Sequence, residues 1–437
     1  MPGNESMGEG ITQADGITAI GIEGFKSFRD KTTLEIRPLT LLAGANSAGK
    51  SSAMQPLLLL KQTLDATYDP GPLLLDGPNV RFSEFEQMLW APGGYPKEDG
   101  FSTTFRSPDG FEVSLRFAKT GKDLVIDSLK FTAGTGLQVM RPGMKQEEIL
   151  NLLPQEVRAW GKVTVKWSVS RMRCYLFLRP LFPDRAPIPP DAPLAQMSPM
   201  RVFDRHIRGV IHLPALRGNP LREYPTSGVG ATFTGQFQNY VAGILSGWKD
   251  RRDRRLKEIG AALRRLGVSW KVDVKRLDDT KVELRVGRLP RSRQGGARDL
   301  VNVADVGFGV SQVLPVVVAL LAARPGQLVY IEQPEIHLHP RAQAEMAHLL
   351  ADAAKRDIRL VVETHSALLL LAIQTLVAKG RLHPSLVKLH WFTRDKEGAT
   401  HVRSGDLDEK GRFGDWPQDF GHVELAAENE YLNASLF

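Results

Sequence analysis

Apolar residues cluster or alternate over 17–22 and 33–36, the pattern of short strands, with Gly24-Phe25-Lys26-Ser27-Phe28 turning between them. Residues 39–43 read as a buried-strand run that stops at a glycine-rich loop. Beyond the loop, 51–64 reads as a helix, with Pro56 a candidate kink inside it. From 101 to 141, strand-like pieces are separated by Pro-Asp-Gly, Thr-Gly-Lys and Gly-Thr-Gly, which predicts an antiparallel β-rich region. Residues 163–169 and 172–178 are expected to continue it. Residues 179–200 hold seven prolines and no periodicity, so they read as a linker. A helix is predicted over 237–267, a hairpin over 272–286 turning near Asp278 and Asp279, and a basic loop over 289–298. Helices are predicted at 313–323, 340–354 and 367–378, and buried strands at 328–331, 360–362 and 387–392. Pro340 suits the first helical position.

Strands alternate with helices near both ends, and β-rich matter lies between, so the pattern predicts an α/β fold with a large insertion. The expected divisions are a flexible tail over 1–16 and an N-terminal core part over 17–100. A β-rich insertion over 101–215, a helical and basic lobe over 216–300 and a C-terminal core part over 301–437 follow. The 437 residues are too many for one small domain. A single cysteine, Cys174, rules out an internal disulfide and any Cys-cluster zinc or iron–sulfur site. The longest apolar run, 313–323, contains Pro315 and falls short of the ~18–20 residues of a membrane span. The first 16 residues lack the charged start and apolar block of a signal peptide, so a cytoplasmic protein that does not use a membrane is the default expectation.

Charge is placed unevenly. The formal net charge is +8, yet residues 249–298 alone hold 17 Lys and Arg against 7 Asp and Glu. Arg251, Arg252, Arg254 and Arg255 lie on one predicted helix, and Arg291, Arg293 and Arg298 follow in the loop. Nucleic-acid phosphates are one natural partner for such density. A solvated helix face laced with Asp250, Asp253 and Glu258 is the other reading, and the two are left open.

The segment Gly44-Ala45-Asn46-Ser47-Ala48-Gly49-Lys50-Ser51 fits G-x-x-x-x-G-K-[ST], with a buried strand before it and a helix, opened by Ser51 and Ser52, behind it. Glycines let the backbone amides face a β-phosphate, and the helix N-terminus adds positive potential. Lys50 would bridge β- and γ-phosphate oxygens of ATP, and Ser51 would ligate Mg²⁺. Such a loop needs an acidic strand end, which Tyr330-Ile331-Glu332-Gln333-Pro334-Glu335 supplies. Val362-Glu363-Thr364-His365-Ser366 ends another strand in a histidine, and Val306-Gly307-Phe308-Gly309-Val310-Ser311-Gln312 opens a helix with two glycines and a serine.

This ordered set resembles the ABC-type ATPases of the SMC, RecF and OLD group. It resembles more closely the AAA-type proteins of bacterial defence islands that carry E-Q-P-E-I-H-L-H-P. Gly24–Phe28 is similar to their early strand-turn, and 44–51 to their Walker A motif. The stretch 304–312 is similar to their signature region, 332–340 to Walker B and the D-loop, His365 to the switch histidine, and Trp416-Pro417-Gln418-Asp419-Phe420 to their C-terminal tail. The resemblance implies a P-loop NTPase with an ABC-type head, an antiparallel β-rich subdomain and a helical insertion lobe. It also implies a homodimer or higher oligomer with two ATP molecules sandwiched between subunits, where Gly307, Gly309 and Ser311 of one copy touch the nucleotide of the other.

Two positions depart from the family's usual Asp-Glu pair. Glu332 stands where an aspartate holds Mg²⁺, and Gln333 stands where a catalytic glutamate takes a proton. Gln333 can only orient water through its carbonyl, so slow hydrolysis is expected, with Glu335 as an alternative base. No segment after His365 is long enough for the cutting domain of OLD nucleases, so the chain is expected to control a separate effector, such as a nuclease, in antiphage defence or DNA maintenance. A RecF-like repair ATPase with a DNA partner and the nucleotide-binding subunit of a transporter are the alternatives. The 282 positions between Lys50 and Glu332 disfavour the transporter.

Overall fold

A computed structural model describes residues 16–94, 98–121, 123–133, 136–153, 157, 166–181, 197–226, 232–288 and 299–414. All but the last residue of the expected tail over 1–16, most of the proline-rich linker, the loop with Arg291, Arg293 and Arg298, and the 416–420 motif lie outside the described residues.

In chain order the strands are β1 (Ala19–Glu23), β2 (Thr32–Glu35), β3 (Leu39–Gly44), β4 (Gly100–Arg106), β5 (Glu112–Thr120), β6 (Asp123–Ala133), β7 (Gly136–Met140), β8 (Lys166–Met172), β9 (Tyr175–Leu181), β10 (Ile211–Leu213), β11 (Tyr224–Pro225), β12 (Val272–Arg276), β13 (Lys281–Gly287), β14 (Leu300–Asn302), β15 (Leu328–Glu332), β16 (Arg359–Glu363), β17 (Val387–Arg394) and β18 (Thr400–Gly405). The helices are α1 (Lys50–Asp65), α2 (Gln146–Leu152), α3 (Arg201–Arg208), α4 (Val241–Asp250), α5 (Arg255–Arg265), α6 (Phe308–Ala322), α7 (Pro340–Ala354) and α8 (Ala367–Ala378). Among the described residues, no helix is long and apolar enough to cross a membrane.

Two compact units divide the chain. One holds the described residues of Met1–Thr33 and Gln55–Arg208, and the other those of Leu34–Met54 and Gly209–Phe437. The division falls inside β2 and α1 rather than at the expected residues 100, 215 and 300. The reason lies in strand pairing and core packing. β1 pairs antiparallel with β4, which draws the first strands into the β-rich unit. Residues of α4, α5, β12 and β13 share one hydrophobic cluster with β3, α6 and α7, so the expected helical lobe belongs to the second unit's core.

In the first unit, an antiparallel sheet runs β2-β1-β4-β5-β6-β7. Its strands alternate as a sheet with one dry face must: Val113, Leu115 and Phe117 of β5 are buried, while Ser114 and Arg116 point to the other face. Phe101 packs on Phe25 and Phe117, with ring centroids 5.0 and 5.4 Å apart. β8 and β9 form a separate two-stranded sheet instead of extending this one.

The second unit is built on a sheet ordered β10-β15-β16-β3-β17-β18. All neighbours are parallel except the last pair. Every residue of β3 is buried, Thr40 included, as a strand in a parallel sheet covered on both faces requires. α7 begins with Pro340 at its first turn, capped by the His339 ring, which accepts from the Arg341 amide. α8 is capped by the Ser366 hydroxyl, which accepts from the Leu369 amide. Pro56 and Pro315 sit inside α1 and α6, which run on through them. A smaller sheet, β11-β13-β12 with β14 on β13, packs into the same unit.

The helix expected over 237–267 is broken. α4 ends at Asp250, Arg252 takes a φ of 51°, and the Asp253 carboxylate accepts from the Arg255 amide to start α5. Arg251, Arg252 and Arg254 therefore lie in the break, and only Arg255 is helical.

Candidate functional site

The parallel sheet brings the carboxyl ends of β3, β15 and β16 to one edge, where open α/β sheets bind ligands. β3 ends at Gly44, whose φ is 139°; a Cβ there would collide with the Phe392 carbonyl oxygen on β17. From Gly44 the chain curls through Ala45, Asn46, Ser47, Ala48 and Gly49, with Ser47 and Gly49 at φ of 59° and 102°. α1 then starts at Lys50, with Ser51 and Ser52 in its first turn. The β17–β18 hairpin braces the loop from outside: Thr400 Oγ1 donates to Ala48 O at 2.9 Å. The Lys50 ammonium is buried and donates to Gly44 O at 3.0 Å and Ala45 O at 2.7 Å. Burial pushes its pKa down, and the charge of Glu363 pulls it partly back.

Three carboxylates face this loop's surroundings. Glu332 and Glu363 end neighbouring strands in direct register. Ser51 Oγ donates to Glu363, at 2.8 Å to Oε2 and 3.0 Å to Oε1. The Tyr330 hydroxyl donates to Glu363 Oε2 at 3.1 Å. Burial raises the Glu363 pKa, and the Ser51 hydrogen bond opposes that rise. Glu332 instead hydrogen-bonds His212 Nε2 at 3.1 Å and accepts from the Ala215 amide at 3.2 Å. Burial raises Glu332 too, but the hydrogen bond and charge of His212, with the Ala215 amide and the Tyr330 hydroxyl, together outweigh it and hold the carboxyl below the usual glutamate range. Ser51 thus bonds Glu363 and not Glu332, because β16 lies between β15 and β3.

Past β15 the chain turns sharply. Gln333 has a φ of 46°, a left-handed conformation costing a non-glycine residue about 1–3 kcal/mol, and its amide donates to Glu363 O at 2.8 Å. Glu335 is 7% exposed. Its Oε1 accepts from the Thr364 hydroxyl and the His365 amide, both at 2.8 Å, while Oε2 has no partner among the described residues. Burial drives its pKa up. Burial, and then the charge of Lys50, drives that of His365 down, so its imidazole is neutral at pH 7.

Gly307, Gly309 and Ser311 occupy the start of α6. Gly307 is exposed at the N-cap and Ser311 Oγ donates to Phe308 O at 2.9 Å. The next residue, Gln312, is buried and accepts from the Arg217 amide through Oε1. The Arg217 guanidinium donates to Gln312 O at 3.3 Å and to Glu332 O at 2.7 Å. Burial lowers the Arg217 pKa to about 10. One buried arginine thus ties the start of α6 to the acidic end of β15.

The basic segment is not brought into this site by any hydrogen bond or ion pair among the described residues. Arg255 pairs with Asp253 at 2.5 Å and lies over the Trp248 ring, Arg254 pairs with Glu258, and Lys249 with Asp273 at 2.7 Å.

Glu363, His212, Tyr330, Thr364 and Arg217 were missed as site residues. Glu363 had a usable signal: the apolar runs before Glu332 and Glu363 are alike, each ending in an acid. His212 sits on a three-residue strand, too short to stand out from the pattern.

A family model described as "AAA domain, putative AbiEii toxin, Type IV TA system" matches residues 246–372. The match takes in the start of α6, the Glu332–Glu335 turn and His365, and leaves the 44–51 loop outside it. A search of curated proteins finds no match. Among solved structures, the chain is similar to an SMC head bound to the C-winged helix domain of ScpA, with a TM-score of 0.50, 12% identity, and 90% of this chain and 98% of that one covered. It is also similar to the SMC head domain from Thermotoga maritima (TM-score 0.43, 11% identity, 89% and 98% covered). A third is an SMC head with an extended coiled coil bound to the C-terminal domain of ScpA, derived from Pyrococcus furiosus (0.42, 12%, 95% and 99%). The fold is a mixed α/β P-loop fold of the SMC-head kind with an antiparallel β-rich subdomain.

Proposed function

We propose that this protein is a slowly hydrolysing ATP switch that closes as a homodimer around two nucleotides and controls a separate effector. The observation that carries the reading is the convergence of the Lys50–Ser51 helix start, the Glu363 carboxylate and the His365 loop on one sheet edge. Amides of 45–50 and the α1 dipole receive the phosphates, and Lys50 exchanges its two carbonyl acceptors for phosphate oxygens. The hydroxyl and carboxylate oxygens here are the hard donors Mg²⁺ takes, and once bound the ion offsets charge on the β- and γ-phosphates.

Hydrolysis needs a water held in line. Gln333 orients it through its amide carbonyl, and the neutral His365 ring donates a hydrogen bond to the γ-phosphate. Glu335 acts as a positioning residue that fixes the His365 loop. With no strong base in place, turnover is slow. Gly307, Gly309 and Ser311 of a second copy cap the γ-phosphate, and the Arg217 link to Gln312 and Glu332 carries closure back to the acidic strand end. The toxin–antitoxin wording of the matching family model supports a role in defence. Light scattering with and without Mg·ATP tests the switch. A dimer with ATP that Ser311→Arg abolishes is expected; a monomer at every ATP concentration sinks the reading.

A further inference from the structure

The geometry points to Glu363, on the strand of the histidine motif, as the acid that anchors the nucleotide's divalent cation beside Ser51, with Glu332 a positioning residue for the 212–217 segment. The inference rests on the ATP-site reading above and departs from the expectation that the acid of the Glu332–Glu335 turn does this work.

Ser51 is the first anchor. Its hydroxyl stands 2.8 and 3.0 Å from the two Glu363 oxygens. Adjacent ligands of an octahedral magnesium ion, each ~2.1 Å from the metal, would lie about 3.0 Å apart. The two side chains are therefore spaced as neighbouring ligands of one ion would be, with α1 and β16 where they stand.

Glu332 is engaged elsewhere. Its Oε1 is held by His212 and its Oε2 by the Ala215 amide. Arg217, two residues on, closes the same ring by donating to Glu332 O. Turning Glu332 toward a cation would break both side-chain bonds and take that acceptor away from His212 and the Ala215 amide. Glu363 would give up only the Ser51 hydroxyl, which is itself a magnesium ligand in this chemistry, and keeps Tyr330 as a fixed donor on Oε2. Two carboxylates in register on adjacent buried strands also repel each other, and a divalent cation on one of them removes that repulsion.

The test measures affinity for a fluorescent ATP analogue in EDTA and in Mg²⁺, and binding of Mn²⁺ by electron paramagnetic resonance in the presence of nucleotide. Parent, Glu363→Gln, Glu332→Gln and Ser51→Ala are compared. Glu363→Gln and Ser51→Ala are expected to keep the EDTA affinity, which also reports that they fold, and to lose about tenfold to a hundredfold in metal affinity. Glu332→Gln is expected to keep the metal-dependent gain and the manganese signal. Should Glu363→Gln fail to fold, Glu363→Asp carries the same prediction, with weakened manganese binding and parental EDTA affinity. A Glu332→Gln protein that loses the metal gain while a Glu363 variant keeps it overturns the assignment and leaves the ATP site standing. A parent that binds no nucleotide in either condition overturns the ATP-site reading and this assignment with it.

Discussion

Residues 249–265 and the carboxyl edge of the parallel sheet both concentrate charge, in opposite surroundings. In the first, Lys249 meets Asp273, Arg255 meets Asp253 and Arg265 meets Glu345, all at partly or well exposed positions. Such surface pairs contribute about 1 kcal/mol or less. At the second, Glu332, Glu335 and Glu363 end buried strands or turns, and one Glu335 oxygen has no partner among the described residues. Burying carboxylates costs several kcal/mol unless they are fully paired. Charge count singles out the basic stretch, whereas burial singles out the acidic edge, where Glu335 and Glu363 are held against the cost of desolvation.

The sharpest way to break this comparison is at Glu335. Glu335→Ala should release Thr364 and the His365 amide and slow single-turnover ATP hydrolysis about a hundredfold, the scale expected for a misplaced catalytic group. Glu335→Gln keeps a carbonyl acceptor for both donors and should stay within a few-fold of the parent. If the glutamine variant is as slow as the alanine one, Glu335 is the general base and not a positioning residue.

A smaller effect concerns stability. Burial raises the pKa of Glu335 and Glu363 above the ordinary glutamate value that they take in the unfolded chain. Between those values the folded state holds protons the unfolded state has lost, so stability falls as pH rises through the window. Above it the penalty is complete, and below the ordinary value it is gone. Glu335→Gln, measured without nucleotide, should therefore melt higher than the parent at neutral pH, with the gap closing on acidification. A variant that melts lower than the parent at neutral pH would show that the carboxylate is net stabilising there.

The smallest effect is expected from reversing Arg251, Arg252, Arg254 and Arg255 to Glu. Arg251 and Arg252 lie in the turn between α4 and α5 and the pairs nearby are at the surface, so nucleotide affinity should not change. If the segment binds nucleic acid, the reversal should flatten the dependence of that binding on salt. A large loss of ATP affinity would mean that this segment and the acidic edge are coupled.

Much of the fold was legible because its signals were local. The mostly apolar β3 run, Pro340 at the head of α7 and Ser366 before α8 each carry their own start or stop rule. The P-loop was legible for the same reason, since Gly44, Gly49, Lys50 and Ser51 are contiguous. Strand order was not: nothing near Glu332 tells that β16 inserts between β15 and β3, which is why Ser51 faces Glu363. The unit division was hidden too, because the pairing of β1 with β4 spans the whole of α1. The break at Arg252 went unseen because a run of arginines is compatible with helix until a capping Asp253 and one left-handed residue end it.

The central claim is that the edge formed by β3, β15 and β16 is an ATP site whose cationic anchor is Lys50. Equilibrium titration of ATP into the parent and Lys50→Ala proteins, in EDTA and in Mg²⁺, tests it most directly. Saturable binding by the parent and at least an approximately hundredfold loss in Lys50→Ala are predicted, because the variant removes the one lysine placed against the triphosphate charge in this loop. Equal affinity in the two proteins would contradict the account.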